Sequence, residues 1–216
     1  MIRLQKGEKP AILTRLGATW TAELLDKLAN HVEPSGYLRT RYSDPEIKSS
    51  LIKETHAKCA YCESKFLHIA YGDVEHVIPK SVRPDLSFEW TNLTLACDRC
   101  NTNKGAYTGE HDRILDPYAT EPSSHMNIFG PLIFAKPGDG DGKITVMELD
   151  LNRTPLVERR TERLKRLSEL VEIMATTTDH DLHETLRRDI ERNELTDDKE
   201  YAAFGRKFYA QAQTHQ

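Results

Sequence analysis

The sequence has no long hydrophobic run and no excess of positive charge. No stretch approaches the ~20 apolar residues of a membrane-spanning helix, and residues 1–6 lack the apolar centre of a secretory signal peptide. These absences predict a cytoplasmic protein without a membrane partner. The formal net charge of −4 provides no overall basic field to attract nucleic acid. Binding to DNA would therefore depend on local basic residues, on a divalent metal ion or on a partner.

Cysteine is scarce too, and its placement is informative. The 216 residues contain four cysteines, in two pairs with a two-residue gap: Cys59 and Cys62, then Cys97 and Cys100. Thiols stay reduced in the cytoplasm, and this spacing lets each pair present two sulfurs to one tetrahedral ion. The pattern predicts a structural zinc site; the alternatives are incidental buried thiols or a redox pair. The 34 residues between Cys62 and Cys97 exceed the roughly 15–20 of a compact zinc ribbon, so a further segment is inserted.

Local patterns predict short strands and capped helices around the cysteines. Residues 74–78 and 93–96 are apolar and β-branched enough to form strands. Pro45, preceded by Asp44, is typical of a helix start. Another helix is predicted to begin at Thr19, because leucines follow it at helical spacing.

The second half is predicted to open with a β-hairpin and to end in helices. Residues 128–135 and 143–149 have the composition of strands, and the glycine-rich run 138–142 between them is typical of a hairpin turn. Leucines at helical spacing after Thr154 predict a long helix, followed by two shorter ones. Basic residues on the long helix alternate with acidic ones, which favours a solvated face over a DNA-contacting one.

A cluster of chemically reactive residues lies in the inserted segment and just after it. The segment carries the run DVEHVIPK at residues 73–80 and then Asn92, and the second cysteine pair continues into Asn101 and Lys104. In this order the motifs resemble those of the HNH endonuclease family over residues 58–105. The resemblance implies a ββα-metal finger, in which two strands are followed by a helix that carries Asn101.

The resemblance also implies a role for each residue of the motif. His76 would act as the general base, since a histidine can take a proton from water near neutral pH. Asn92 would fix the loop before the second strand as part of the catalytic set. Asn101, which is also catalytic in the family, would hold a Mg²⁺ or Mn²⁺ ion together with Glu75, because both side chains offer oxygen ligands. The four cysteines would hold the structural Zn²⁺.

Two features of Glu75 complicate its expected role as a metal ligand. Many family members have aspartate where this chain has Glu75, and the extra methylene moves the carboxylate by about one bond length. Adjacent strand residues also point to opposite faces. Glu75 and His76 can therefore serve one site only if the strand is twisted or the metal lies at its edge.

Three basic residues near the motif are candidates for contacts with nucleic acid: Lys80, Arg99 and Lys104. Lys104 lies three residues after Asn101, on the same face of the predicted helix. The surrounding residues 53–105 contain seven Lys or Arg and seven Asp or Glu. The finger therefore has no net basic character of its own.

Together these predictions define an α+β fold, with a zinc-stabilised ββα-metal finger inside a mainly helical protein that also has a small β-hairpin. Four parts are predicted. They are an N-terminal helical segment (1–55), the nuclease core with its zinc knuckles (56–112), a loop and hairpin (113–153) and a helical C-terminal region (154–216).

Features outside the finger narrow the resemblance. Residues 1–4, 58–63, 149–153 and 156–160 are similar to segments of the HNH subunits of Septu-type and some retron anti-phage systems. This similarity implies a nuclease that degrades DNA together with an ATPase partner, and with retron components in some systems. Two other functions fit the motifs: a catalytically silent zinc module that docks a partner or nucleic acid, and an HNH-type RNase.

Overall fold

The computed structural model describes residues 1–109, 111 and 113–214. Its helices are α1 (Ala11–Ala29), α2 (Gly36–Arg39), α3 (Pro45–Glu54), α4 (Asp98–Lys104), α5 (Pro122–His125), α6 (Gly140–Glu148), α7 (Thr154–Thr176), α8 (His180–Asn193) and α9 (Ala202–Gln213). Its strands are β1 (Asp73–His76), β2 (Leu93–Ala96), β3 (Met126–Phe129) and β4 (Leu132–Ala135). Short 3₁₀ turns form at Arg41–Ser43, Pro84–Leu86 and Trp90–Asn92. Among these residues, no helix combines the length and the apolar character needed to cross a membrane.

Strands β1 and β2 and helix α4 form the centre of the fold. The two strands pair antiparallel, so that Asp73 lies opposite Ala96 and His76 opposite Leu93. Every residue of β2 is buried, because α3 packs against this strand. Helix α4 follows β2 directly and contacts β1. The arrangement confirms the predicted ββα unit and the α+β class.

Helix α3 begins where its capping residues predict, whereas α1 begins earlier than expected. A side-chain oxygen of Asp44 accepts a hydrogen bond from the Glu46 amide at 2.9 Å, and Pro45 occupies the first turn. Helix α1 starts at Ala11, directly after Pro10, instead of at Thr19. The extra turns are stabilised by burial of residues such as Leu13, which is 1% exposed.

The prediction of a hairpin between residues 128–135 and 143–149 is wrong. The structure forms a shorter hairpin over residues 126–135, where β3 pairs with β4 and Gly130 takes a φ of +53° in the two-residue turn. The second segment belongs to helix α6. The glycine-rich run starts this helix because Asp139 accepts a hydrogen bond from the Gly142 amide at 2.7 Å. An N-cap was thus mistaken for a turn.

Helices α7, α8 and α9 pack together and are joined to the zinc region. Helix α7 contacts both other helices, and Leu167 and Ile190 are fully buried between them. The Tyr201 and Ser64 hydroxyls are 2.9 Å apart, and the Lys58 ammonium donates to the Lys199 carbonyl at 2.9 Å. These contacts fix the C-terminal helices against the first cysteine pair.

One basic residue of α7 is not on a solvated face. Arg160 is 1% exposed and donates to the Leu151 carbonyl at 2.7 Å. Its guanidinium also lies 4.2 Å from the centre of the Phe204 ring. The expectation of a solvated basic face is therefore wrong at this position, because a long-range partner holds the charge inside the fold.

Candidate active site

The four cysteines meet at one point in the fold. Their sulfur atoms all lie within 4.8 Å of one another, and the Cys62 and Cys97 sulfurs are 3.9 Å apart. A tetrahedral site with zinc–sulfur bonds of about 2.3 Å has sulfur–sulfur edges of about 3.8 Å. The four sulfurs could therefore hold a zinc ion with little rearrangement.

The cysteines shift one another's pKa values in opposite directions. Hydrogen bonds from Cys100 and Cys59 lower the pKa of Cys62 and of Cys97, whereas burial raises the pKa of Cys59 and hydrogen bonds with the other cysteines raise that of Cys100. The Arg153 guanidinium lies 3.6 Å from the Cys100 sulfur, where it offsets the negative charge of a four-thiolate site. Glu63 takes a φ of +65° and donates its amide to the Cys59 carbonyl at 3.0 Å, which closes the first knuckle. Charge and backbone geometry therefore both suit metal binding.

His76 ends strand β1 and is held as a neutral imidazole. It is 5% exposed, and its Nε2 lies 3.0 Å from the Ser87 carbonyl oxygen. A carbonyl can only accept, so Nε2 carries the proton and Nδ1 keeps its lone pair. Burial lowers the pKa of His76 from 6.5 to about 4. The ring is therefore uncharged at neutral pH, with a lone pair on Nδ1 that can accept a proton.

Asn92 closes the loop that connects β1 to β2. Its side-chain oxygen accepts from the Ile78 amide at 2.8 Å. Its side-chain nitrogen donates to the Ile78 carbonyl at 3.0 Å and to the Leu86 carbonyl at 3.2 Å. The loop carries Ser87, so the buried side-chain amide of Asn92 also fixes the position of the Ser87 carbonyl, which orients His76. These hydrogen bonds are compatible with the predicted loop-fixing role, which stays a prediction.

The side of β1 that faces α4 carries a group of oxygen-bearing side chains. The Asn101 amide nitrogen donates to Asp73 at 2.7 Å. The Glu75 carboxylate lies two residues further along β1, which places it on the same face as Asp73. His76 bonds Ser87 instead, so the structure does not bring His76 into direct contact with Asn101.

Lys104 is not placed to bind a phosphate at the surface. Its side chain is 2% exposed, and its ammonium donates to Glu75 at 2.7 Å and to the His76 carbonyl at 2.8 Å. The predicted nucleic-acid contact of Lys104 is corrected accordingly: the residue is an internal counter-ion. Burial raises the pKa of Glu75 while Lys104 opposes that rise. Direct metal binding by Glu75 would have to share its carboxylate with this lysine.

The other two basic candidates remain at the surface. Lys80 is exposed, and its ammonium donates to the Tyr42 hydroxyl at 2.7 Å. Arg99 is exposed in the first turn of α4, between the cysteines of the second pair. Both side chains are accessible to a nucleic acid.

The sequence predictions missed Asp73 and Tyr42. Asp73 could have been found from the strand period, because residues 73 and 75 share a face when 74 and 76 share the other. Tyr42 lies outside the finger, and its ring contacts His76 with 4.5 Å between the ring centres. No local pattern marks a contact between residues so far apart in the chain.

Comparisons with known proteins agree with the geometry of this unit. Residues 59–106 match the family model described as HNH endonuclease. The match identifies the two strands, the helix and the cysteine pairs as an HNH endonuclease domain, and the resemblance expected from the motifs is confirmed.

Two curated relatives extend the similarity beyond the domain. The chain is 34% identical to the Septu protein PtuB of Bacillus thuringiensis over 154 residues, which cover 71% of this chain and 55% of the relative. It is 27% identical to the Septu protein PtuB of Bacillus mycoides (strain KBAB4) over 199 residues, covering 76% of this chain and 68% of that relative. The chain thus spans little more than half of the first relative's length.

Proposed function

We propose that the protein is a metal-dependent endonuclease that hydrolyses DNA phosphodiester bonds in an anti-phage defence system. One observation carries the proposal: a neutral, oriented imidazole lies at the end of β1, inside the domain that matches the HNH model. The similarity to two PtuB proteins supports the defence context.

His76 is the general base of this proposal. Its Nδ1 takes the proton from the attacking water, while Nε2 keeps its own proton and donates it in the hydrogen bond to the Ser87 carbonyl throughout. That hydrogen bond becomes charge-assisted once the ring is protonated, so the imidazolium is stabilised as it forms. Asn92 contributes by holding the loop that carries Ser87.

A divalent cation fits the oxygen donors on the other side of β1. Asp73, Glu75 and Asn101 supply carboxylate and amide oxygens, which are the ligands that Mg²⁺ and Mn²⁺ prefer. When bound, such an ion neutralises charge that develops on the phosphate and on the leaving oxygen. The contact between Asp73 and Asn101 orients the amide before any ion binds.

A partner would supply DNA contacts that the surface of this chain provides only weakly. The net charge of −4 gives weak attraction for DNA, and Lys104, one of the three basic candidates, is buried. We propose a PtuA-type ATPase as the partner that provides additional DNA contacts and controls cleavage. Restraint of this kind suits a nuclease that acts inside its host.

The decisive comparison is between His76→Ala and His68→Ala, in which an exposed histidine of the same domain serves as the control. Each zinc-loaded variant is incubated with plasmid DNA and with RNA, in Mg²⁺ or EDTA, with and without the ATPase. We expect His76→Ala to lower DNA cleavage at least about 100-fold and His68→Ala to cleave like the wild type. Cleavage by His76→Ala with unchanged zinc content would refute the proposed base.

The same assay separates the alternatives. Cleavage confined to RNA would favour the RNase. Absence of any cleavage by the wild type, together with an unchanged biological effect on substitution of His76 or Asn101, would favour a silent docking module.

A further inference from the structure

An aromatic side chain from outside the HNH domain lies against the proposed base. Tyr42 belongs to the 3₁₀ turn Arg41–Ser43, whereas the domain begins at residue 59. Its ring meets the His76 imidazole edge to face, with ring centres 4.5 Å apart and planes inclined by 72°. The N-terminal region therefore forms one wall of the site.

The hydroxyl of Tyr42 is set up as a donor. The Lys80 ammonium, which has no acceptor capacity, donates to this oxygen at 2.7 Å. The phenolic proton is not used in that contact, so the hydroxyl can donate it to another acceptor. Lys80 is exposed and its partner here is a neutral phenol, so this contact leaves its positive charge uncompensated. Two donors thus lie side by side next to His76.

The turn that carries Tyr42 is firmly attached to the core. Leu38 of α2 is 2% exposed, and Ile47 and Leu51 of α3 are fully buried. The Ser43 amide donates to the Thr40 carbonyl at 2.9 Å, which closes the turn between these helices. A tyrosine on such a turn can hold a fixed position relative to β1, as a substrate contact requires.

We propose that Tyr42 contacts the substrate: its hydroxyl donates a hydrogen bond to the phosphate presented to His76, with the Lys80 ammonium as the neighbouring donor. The proposal rests on the nuclease function proposed above. It extends the active site beyond the HNH domain and gives the N-terminal region a direct part in substrate binding.

The test uses Tyr42→Phe, which keeps the ring against His76 and removes the hydroxyl. Its control is Tyr37→Phe, since Tyr37 is 70% exposed and its ring lies on the Arg41 guanidinium, a contact that phenylalanine preserves. Binding of a fluorescent DNA duplex is measured by anisotropy with Ca²⁺ in place of Mg²⁺, over a series of salt concentrations. Cleavage is measured in parallel with Mg²⁺.

We expect Tyr42→Phe to weaken binding at least about 10-fold, the effect of losing a hydrogen bond to a charged group, and Tyr37→Phe to stay within 2-fold of the wild type. Lys80→Met should lower the salt slope of log K by about 0.9, as for one lost phosphate contact. Tyr42→Phe should leave that slope unchanged, because the phenol carries no charge.

The outcomes distinguish this inference from the function on which it rests. If the wild type neither binds nor cleaves DNA even with the ATPase present, the nuclease proposal fails and the inference fails with it. If the wild type cleaves and a folded Tyr42→Phe binds and cleaves equally well, the substrate contact alone is refuted. Equal losses in Tyr42→Phe and Tyr37→Phe would likewise refute it, since the effect would not be specific to the hydroxyl beside His76.

Discussion

Replacing Lys104 with methionine tests whether this lysine is an internal counter-ion or a phosphate-binding group. The change keeps the length of the side chain and removes its charge. In the structure the ammonium bonds both the Glu75 carboxylate and the His76 carbonyl, and the side chain is 2% exposed. The substitution therefore leaves a buried carboxylate without its partner.

The expected loss in the free energy of unfolding is about 3–5 kcal/mol, as for removal of one partner of a buried ion pair. Burial already raises the pKa of Glu75, so the unpaired carboxyl will take up a proton when the pH allows. The loss should therefore be larger at pH 8 than at pH 5. The double variant Glu75→Gln/Lys104→Met should lose less than the sum of the two single changes, with a coupling energy of about 2 kcal/mol.

The assay is urea denaturation of the zinc-loaded wild type, the two single variants and the double variant at both pH values. Arg99→Met serves as the control, because Arg99 is exposed on the same helix, and it should change stability by no more than about 0.5 kcal/mol. A loss for Lys104→Met as small as that of Arg99→Met, together with a lower salt slope for DNA binding, would refute the counter-ion role.

Three further predictions concern the rest of the site. Cys97→Ser should lose zinc and the cooperative unfolding transition, because metal binding contributes folding free energy; a folded variant without metal, judged by circular dichroism and metal analysis, would contradict this. Between pH 6.5 and 4 the native state binds fewer protons at His76 than the unfolded chain, because the native pKa of His76 is about 4. The free energy of unfolding of the wild type should therefore fall by up to about 3 kcal/mol relative to that of His76→Gln as the pH falls through this window. A difference that does not change with pH, measured by urea denaturation, would be inconsistent with a buried neutral ring. Asn92→Ala removes the side-chain hydrogen bonds to the Ile78 amide and to the Ile78 and Leu86 carbonyls; it should cost about 3 kcal/mol and reduce cleavage although His76 is intact, whereas full activity would exclude the loop-fixing role.

The elements that sequence predicted well are those with local causes. The cysteine spacing, the cap at Asp44 and strand β2 each depend on residues within a few positions of one another. The hairpin failed because a glycine-rich run has two local solutions, a turn or a helix start. The choice of α6 depends on packing against β4, which no local pattern contains.

Buried charges were the other failure, and they matter more for the site. The sequence predicted Lys104 and Arg160 to be surface residues, because lysine and arginine are seldom buried without partners. Their partners, Glu75 and the Leu151 carbonyl, are set by the fold. The contact between Tyr42 and His76 is likewise set by the fold. Sequence thus predicted the HNH motif, while the structure was needed to separate groups available to substrate from groups that hold the site together.

The central claim is that His76 and the oxygen donors of β1 and α4 act on the same phosphodiester. The most direct measurement is a crystal structure of the His76→Ala variant with Mg²⁺ and a DNA duplex. The account predicts a phosphate between position 76 and a cation contacted by Asp73, Glu75 or Asn101. A phosphate bound away from β1, or a cation that contacts none of these three residues, would contradict it.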